Sequence, residues 1–267
     1  YELKNLQLGM GSSSIAMLCR NKETRSDHAV CILDRARVEC SRQAMLRFRK
    51  LKSLEHDQLL KTADTFITPE RLLIVSEMCW GGDLFEHMVR HRQVAEPEAR
   101  NIIKAVLSAV AYLHTNGVVH GNVTPEKILL SSPNDKEHKG NEGKGNGKTT
   151  TTTKSGSNTA TSTTTTTTLN TYGSEKADMW SVGVLAYTLI AGVPPFTVSS
   201  STPPSSSQFP FWVHIPDMVQ DGSRQLDFGG KAWEHVSSEA IAFVRTALQF
   251  EPEKRFEASE ALKHPWM

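Results

Sequence analysis

The segment "EKADMWSVGVLAYTLIA", residues 175 to 191, constrains this chain more than any other. After a polar first turn it is apolar almost all round, so a helix formed here has no face to offer to water and must be enclosed by other elements. Ser174 stands at the position of an N-cap, and Gly192 follows the last apolar residue as a stop. The chain therefore needs a helical unit large enough to surround a central post. With 267 residues, 38% of them hydrophobic, it can build one substantial core or two lobes sharing a cleft.

A second helix is written in "EPEARNIIKAVLSAVAYLHTNG". Pro97 lies near its first turn, Ile103, Val106, Leu107 and Val110 share one face, and Gly117 ends it. Before residue 77 the pattern changes. "SIAMLCR", "HAVCILDR" and "RLLIVSEM" are short apolar runs bounded by turn or charged residues, which predicts a small sheet-rich lobe around one basic helix. Between residues 131 and 171 the only aliphatic residues are Ala160 and Leu169, so this stretch cannot bury enough surface to offset its ordering entropy and reads as a disordered insert. Residues 198 to 208, rich in serine and proline, read as a second mobile loop.

Charge and composition exclude several classes. Thirty basic residues against 29 acidic ones leave a net charge of +1, which gives no global field for nucleic acid or anionic membrane. The basic run "RQAMLRFRKLKSLEH" reads as the solvated face of a helix. No apolar run approaches the length needed to span a bilayer, and the first residues carry no signal-peptide pattern, so a cytoplasmic location is expected. Cys19, Cys31, Cys40 and Cys79 lack paired metal spacing, and the ten histidines are read as showing none either; no metal site is expected.

The motifs then fall in a telling order: "LGMGSSSIAML", "HAVCILDR", "LKSLEH", "EMCWGGDLFEHMV", "VVHGNVTPEKILL", "YGSEKADMWSVGVLAYTLIAGVPPF" and "EPEKRFEASEALKHPWM". Together they resemble a eukaryotic protein kinase domain, closest to the calcium/calmodulin-dependent kinase branch. The resemblance implies an α+β, two-lobed protein-kinase-like fold, with a small β-rich N-lobe over residues 1–77 and a larger α-helical C-lobe over 78–267 that carries both inserts.

Residue by residue, the resemblance also exposes losses. Gly9 and Gly11 match the first two glycines of a phosphate-cradling turn, with Ser14 at the third; they either admit phosphates to the backbone or merely shape a hairpin. Cys31 stands where the family carries its phosphate-binding lysine, and Arg47 where that lysine's glutamate partner belongs. A neutral thiol supplies no fixed positive charge, and small strand packing is its bland alternative. In the 118–130 loop, Asn122 replaces the proton-accepting aspartate, Thr124 a lysine, and Lys127 a metal-holding asparagine. An amide is no base, and an ammonium cannot ligate magnesium. His120 and Asp178 fit the family's scaffold, the aspartate accepting backbone amides of the loop.

No Asp-Phe-Gly follows that loop. The letters recur only at Asp227, Phe228 and Gly229, in a region that the resemblance makes a surface connection. The Ala-Pro-Glu partner of Arg255 is missing as well. The hinge at Ser76–Cys79 is better kept: by resemblance the backbone of Glu77 and Cys79 would hold an adenine, sandwiched by Ala16, Ala29 and Leu129, or the same residues simply fill the interlobe space.

The expectation is a pseudokinase acting as a scaffold or allosteric partner of another protein, with any ATP binding weak and magnesium-independent. The alternative is an active serine/threonine kinase with non-standard catalytic residues. A degenerate, unstable product is a third reading.

Overall fold

The computed structural model describes residues 1–11, 14–34, 52–131, 174–196 and 226–267, together with the backbone of 161–162. It divides into two compact units: Tyr1–Gly82 with Leu129–Thr164, and Asp83–Ile128 with Thr165–Met267.

The first unit is built on five antiparallel strands: β1 (Glu2–Met10), β2 (Ser14–Arg20), β3 (Asp27–Asp34), β4 (Thr62–Ile67) and β5 (Arg71–Glu77). They lie in the order β1-β2-β3-β5-β4. The alternation of β2, β3 and β5 sends Cys19, Val30 and Val75 to one face, where Tyr1, Met17, Ile32 and Leu73 close a thin core. Ala16, Ala29, Cys31 and Ser76 take the opposite parity. The β2–β3 turn is pinned by a two-pronged ion pair, Arg20 Nε to Asp27 Oδ1 at 2.6 Å and Nη2 to Oδ2 at 3.0 Å. Strands β1 and β4, at the sheet edges, are not legible as strands in the sequence. Their side chains are half-exposed or exposed, with Met10 at 75%, so neither shows a clean apolar alternation.

The unit runs five residues beyond the expected boundary at residue 77 and takes in a distant strand. β6 (Leu129–Leu130) is tied to the chain after β5 by two hydrogen bonds, Gly81 N–H to the Leu130 carbonyl at 3.0 Å and Leu130 N–H to the Gly82 carbonyl at 2.9 Å. A Cβ on Gly81 would lie 2.1 Å from the Leu130 carbonyl oxygen, so only glycine permits this approach. β6 also pairs with β7 (Thr161–Ser162), a two-residue strand inside the stretch read as structureless. Pairing supplies the backbone partners that the side chains of this stretch do not. The remainder of that insert, the 198–208 loop and Arg47 lie outside the described residues.

The second unit is helical: α1 (Leu84–His91), α2 (Glu96–Thr115), α3 (Glu175–Ala191), α4 (Ser238–Ala247) and α5 (Ala258–Ala261). α3 is the enclosed post that its composition demands. Eleven of its residues are buried, the Ser174 hydroxyl accepts the Ala177 amide, and Gly192 ends the helix at φ 72°. Gly183 lets α4 approach, since a Cβ there would stand 2.7 Å from that of Ala247. α2 buries Ile103, Val106, Leu107 and Val110 as its periodicity predicts. At its first turn, Glu96 accepts the Ser237 amide at 2.8 Å, the Ser237 hydroxyl at 2.6 Å and the Trp266 indole N–H at 3.1 Å, which ties α2 to the start of α4 and to the turn after α5. Burial would raise the Glu96 carboxyl, but these hydrogen bonds prevail and hold it below its ordinary range.

Candidate functional site

The loop 118–130 is fixed from below by one carboxylate. Asp178, 1% exposed, accepts the His120 amide through Oδ2 and the Gly121 amide through Oδ1, each at 2.8 Å. A third donor, unread in the sequence, is His114 near the end of α2, whose Nε2 lies 2.8 Å from Oδ2. A buried carboxylate is tolerable only with such a set of donors. Gly121 takes φ +73°, a conformation that glycine adopts without strain.

His120 is 4% exposed, and its Nδ1 accepts the Asn122 amide at 3.2 Å, so that nitrogen carries no proton. Burial pushes its pKa down to about 4, Lys127 and His114 add to the depression, and Asp178 opposes it. A neutral ring here serves as a packed spacer that orients Asn122. After Asn122, buried Val123 and Thr124 lead into a single 3-10 turn, Pro125–Lys127, closed by the Lys127 amide on the Thr124 carbonyl at 2.9 Å. The turn ends where the Ile128 carbonyl accepts the Leu84 amide at 2.8 Å, seating it against the start of α1. There Asp83 caps α1 through the Glu86 amide at 2.8 Å. Burial, with Glu86 and Glu126 nearby, raises the Asp83 carboxyl.

In the sheet unit the residues read as a nucleotide platform share one side. Gly9 pairs with Ala16, Ala16 with Cys31, and Cys31 with Ile74, while Leu18, Ala29 and Ser76 form the adjacent row. Four small residues, Ala16, Ala29, Cys31 and Ser76, thus neighbour one another on this side. Ser76 is buried and its hydroxyl reaches the Ala29 carbonyl at 3.4 Å. Gly9 lies within β1, and the Gly11 amide donates to the Ser14 carbonyl at 2.8 Å. That bond closes the β1–β2 turn. Glu77 ends β5 with its amide on the Lys61 carbonyl at 3.0 Å, and half-buried Cys79 follows. Leu129 opens β6 in the same unit.

Two further motif fragments have partners of their own. Asp227 Oδ1 accepts the Gly229 amide at 2.7 Å, its carbonyl accepts the Tyr187 hydroxyl at 2.6 Å, and Phe228 packs on Trp233 with centroids 4.8 Å apart. This is a structural turn. Arg255 donates to three backbone carbonyls, of Gln249, Lys176 and Phe250, at 2.6, 2.9 and 3.0 Å, and lies 4.7 Å over the Trp180 ring. Carbonyls and a π face take the place of the expected carboxylate.

Comparison with known proteins agrees with this architecture. The family model for the protein kinase domain matches residues 2–267. Myosin light chain kinase A of Dictyostelium discoideum is 31% identical over 273 residues, covering 100% of this chain and 88% of that protein. Calcium/calmodulin-dependent protein kinase type IV of Homo sapiens is 30% identical over 269 residues, covering 98% of this chain but only 53% of that protein. The crystal structure of Rad53 1-466 in complex with AMP-PNP superposes with a TM-score of 0.74 at 22% identity, over 99% of this chain and 64% of that one, a likeness of fold. With an antiparallel sheet unit, a helical unit around α3 and a family match over nearly its whole length, the chain belongs to the protein kinase domain family.

Proposed function

We propose that this domain is a pseudokinase that works by binding a protein partner, as scaffold or allosteric element, without transferring phosphate. The observation that carries the reading is the split within one loop. Asp178 holds the backbone of His120 and Gly121 at 2.8 Å, while the next side chain, where the family places its proton acceptor, is the amide of Asn122. General-base assistance is typically worth about two to four orders of magnitude in rate. Cys31 for the phosphate lysine and Lys127 for the metal-holding asparagine remove two further parts that act as a unit with the first.

Nucleotide binding, on this reading, is weak and indifferent to magnesium. The hinge backbone at Glu77 and Cys79 and the small side chains of Ala16 and Ala29 would receive an adenine, whereas the carboxylate and amide that fix metal ions are replaced. The ammonium of Lys127 offsets part of the phosphate charge in their stead. The test is incorporation of labelled phosphate into the protein and into basic peptides with magnesium or manganese, beside thermal shift with millimolar ATP. No incorporation is expected, with a small ATP shift that survives EDTA and shrinks in Lys127→Ala. Metal-dependent incorporation abolished by mutating Asn122 or Lys127 would favour the second reading, an active serine/threonine kinase with non-standard groups. Its support is the similarity, over nearly the whole of this chain, to proteins named as kinases.

A further inference from the structure

One face of the five-stranded sheet stays apolar beyond its thin core, from edge to edge. The register aligns Met10 with Ile15, Ile15 with Ile32, Ile32 with Leu73 and Leu73 with Phe66, so one row of large apolar side chains crosses β1, β2, β3, β5 and β4. At about 4.8 Å between strands, the row is about 19 Å long. Its ends are the most open, with Met10 75%, Ile15 41% and Phe66 46% exposed, while Ile32 and Leu73 are half-buried against the Cys19–Val30–Val75 core. Two residues further along β3 and two back along β5, the same face carries Asp34 and Arg71, which are cross-strand partners and both exposed. Single apolar residues on a surface need no account, but a continuous row over every strand of a sheet does.

We propose that this face is the interface of a homodimer, in which the sheets of two copies pack face to face about a two-fold axis running along β3. Strand order supplies the symmetry. β3 is central in β1-β2-β3-β5-β4, so rotation about it lays β1 on the partner's β4 and β2 on its β5. Met10 then meets Phe66 of the partner subunit, Ile15 meets Leu73 of the partner subunit, and Ile32 meets its own copy on the axis. The most exposed residue of the row is thus set against an exposed aromatic ring, and a thioether on a ring edge is a favourable pair. A two-fold interface requires this kind of self-complementarity, and face-to-face sheets with strands within about 30° of each other pack about 10 Å apart, a gap that such side chains fill.

Charge selects the same axis. About β3, Asp34 and Arg71 of the two copies gather at one end of the row as two carboxylates and two guanidiniums, with no net charge and an arginine on either side of each pair of carboxylates. A two-fold axis along the row itself would instead lay Asp34 of the partner subunit over Val30, which is 2% exposed, and set a carboxylate on an apolar core without a donor. Charges of this kind fix orientation and exclude wrong pairings more than they add affinity. Five apolar side chains and one charge pair fall short of the roughly 20–30 residues a side of a standard interface, so the dimer is weak and reversible.

The test is sedimentation equilibrium of the whole chain across the micromolar range, where a monomer–dimer exchange is expected. Met10→Lys and Phe66→Lys, at opposite ends of the row, should each weaken association about tenfold or more, since each sets an ammonium against an apolar partner. Arg71→Glu should do the same by gathering four carboxylates at the axis, and added salt should relieve that variant more than the other two. Ile67→Lys is the control: Ile67 is 49% exposed but lies on the other face of β4, opposite Leu72, and its substitution should leave the equilibrium unchanged. Thermal melts matching the parent chain show that the variants fold. A chain that stays monomeric throughout overturns the proposal and leaves the row to an amphipathic helix of another protein. A dimer that survives both Met10→Lys and Phe66→Lys overturns it as well. Because neither phosphate transfer nor ATP enters the measurement, its outcome is independent of the pseudokinase reading.

Discussion

Two positions in different units of this domain answer to opposite physical demands. In the helical unit, Asp178 keeps a buried charge with three donors around it: the amides of His120 and Gly121 and the ring of His114. In the sheet unit, position 31 holds a half-buried thiol between Ala16 and Ile74, where kinases carry a lysine. The strand register is satisfied without that charge, because backbone pairing is indifferent to the side chain. The loop backbone, by contrast, needs the Asp178 carboxylate: without it two amides lose their acceptor in a nearly water-free place. A buried charge is required where the backbone depends on it, and a strand needs none to keep its register.

The sharpest way to break this contrast is Asp178→Ala. Removing one acceptor from three donors in the core should cost about 3–5 kcal/mol. Asn122→Asp, one residue beyond the anchored amides, should change stability by less than about 1 kcal/mol. Urea unfolding of both variants measures the difference; equal effects would mean that the carboxylate is no more structural than the loop it holds.

Acid should act on the same anchor. His120 has a pKa of about 4 in the fold against an ordinary value of 6.5. Its folded pKa is depressed, so the neutral ring contributes its full stability above about pH 6.5. Below that the unfolded state takes up the proton first, and the contribution is lost progressively as pH falls to about 4. The shift corresponds to on the order of 3 kcal/mol. Urea midpoints at pH 7 and pH 4.5 should differ less in His120→Gln than in the parent chain. An unchanged difference would show that the acid loss comes from other groups, Glu96 among them.

In the sheet unit, the most sensitive point is a contact between backbones. Gly81→Ala places a methyl group against the Leu130 carbonyl and should cost about 1–3 kcal/mol. Cys31→Ala, on the same unit, should cost less, and a thermal melt of the two compares them. The smallest effect is expected from replacing residues 133–159 by a short Gly/Ser linker that leaves β7 in place. Each doubling of loop length changes closure by only about 0.6 kcal/mol, so the melting temperature should scarcely move.

Much of this was open to a reading of the sequence, for identifiable reasons. α3 is a long apolar run with explicit caps at Ser174 and Gly192, α2 carries helical periodicity, and β2, β3 and β5 are apolar runs whose bounds hold to within a residue. Edge strands β1 and β4 escaped because an edge needs no buried face. The anchoring role of Asp178 followed from family resemblance, but His114 did not, since a histidine near the end of a helix looks the same whether it meets solvent or a carboxylate 64 residues on. Gly81 was read as part of a motif, and its tie to Leu130 joins residues 49 apart, a distance over which sequence pattern carries no signal. The Gly11 amide bond to Ser14 likewise belongs to geometry alone.

That tie between Gly81–Gly82 and Leu130 sets an order on biosynthesis. A chain leaving the ribosome delivers β1 to β5 first, yet the strand that closes their unit is made only after all of α1 and α2. The nascent sheet therefore waits, with backbone groups of Gly81 and Gly82 exposed for want of their β6 partner. At about 5–20 residues per second, the roughly 50 intervening residues prolong that exposure by seconds, long enough for a chaperone to bind. Truncation series stalled before and after residue 130 would show protease protection of the sheet appearing only in the longer chains.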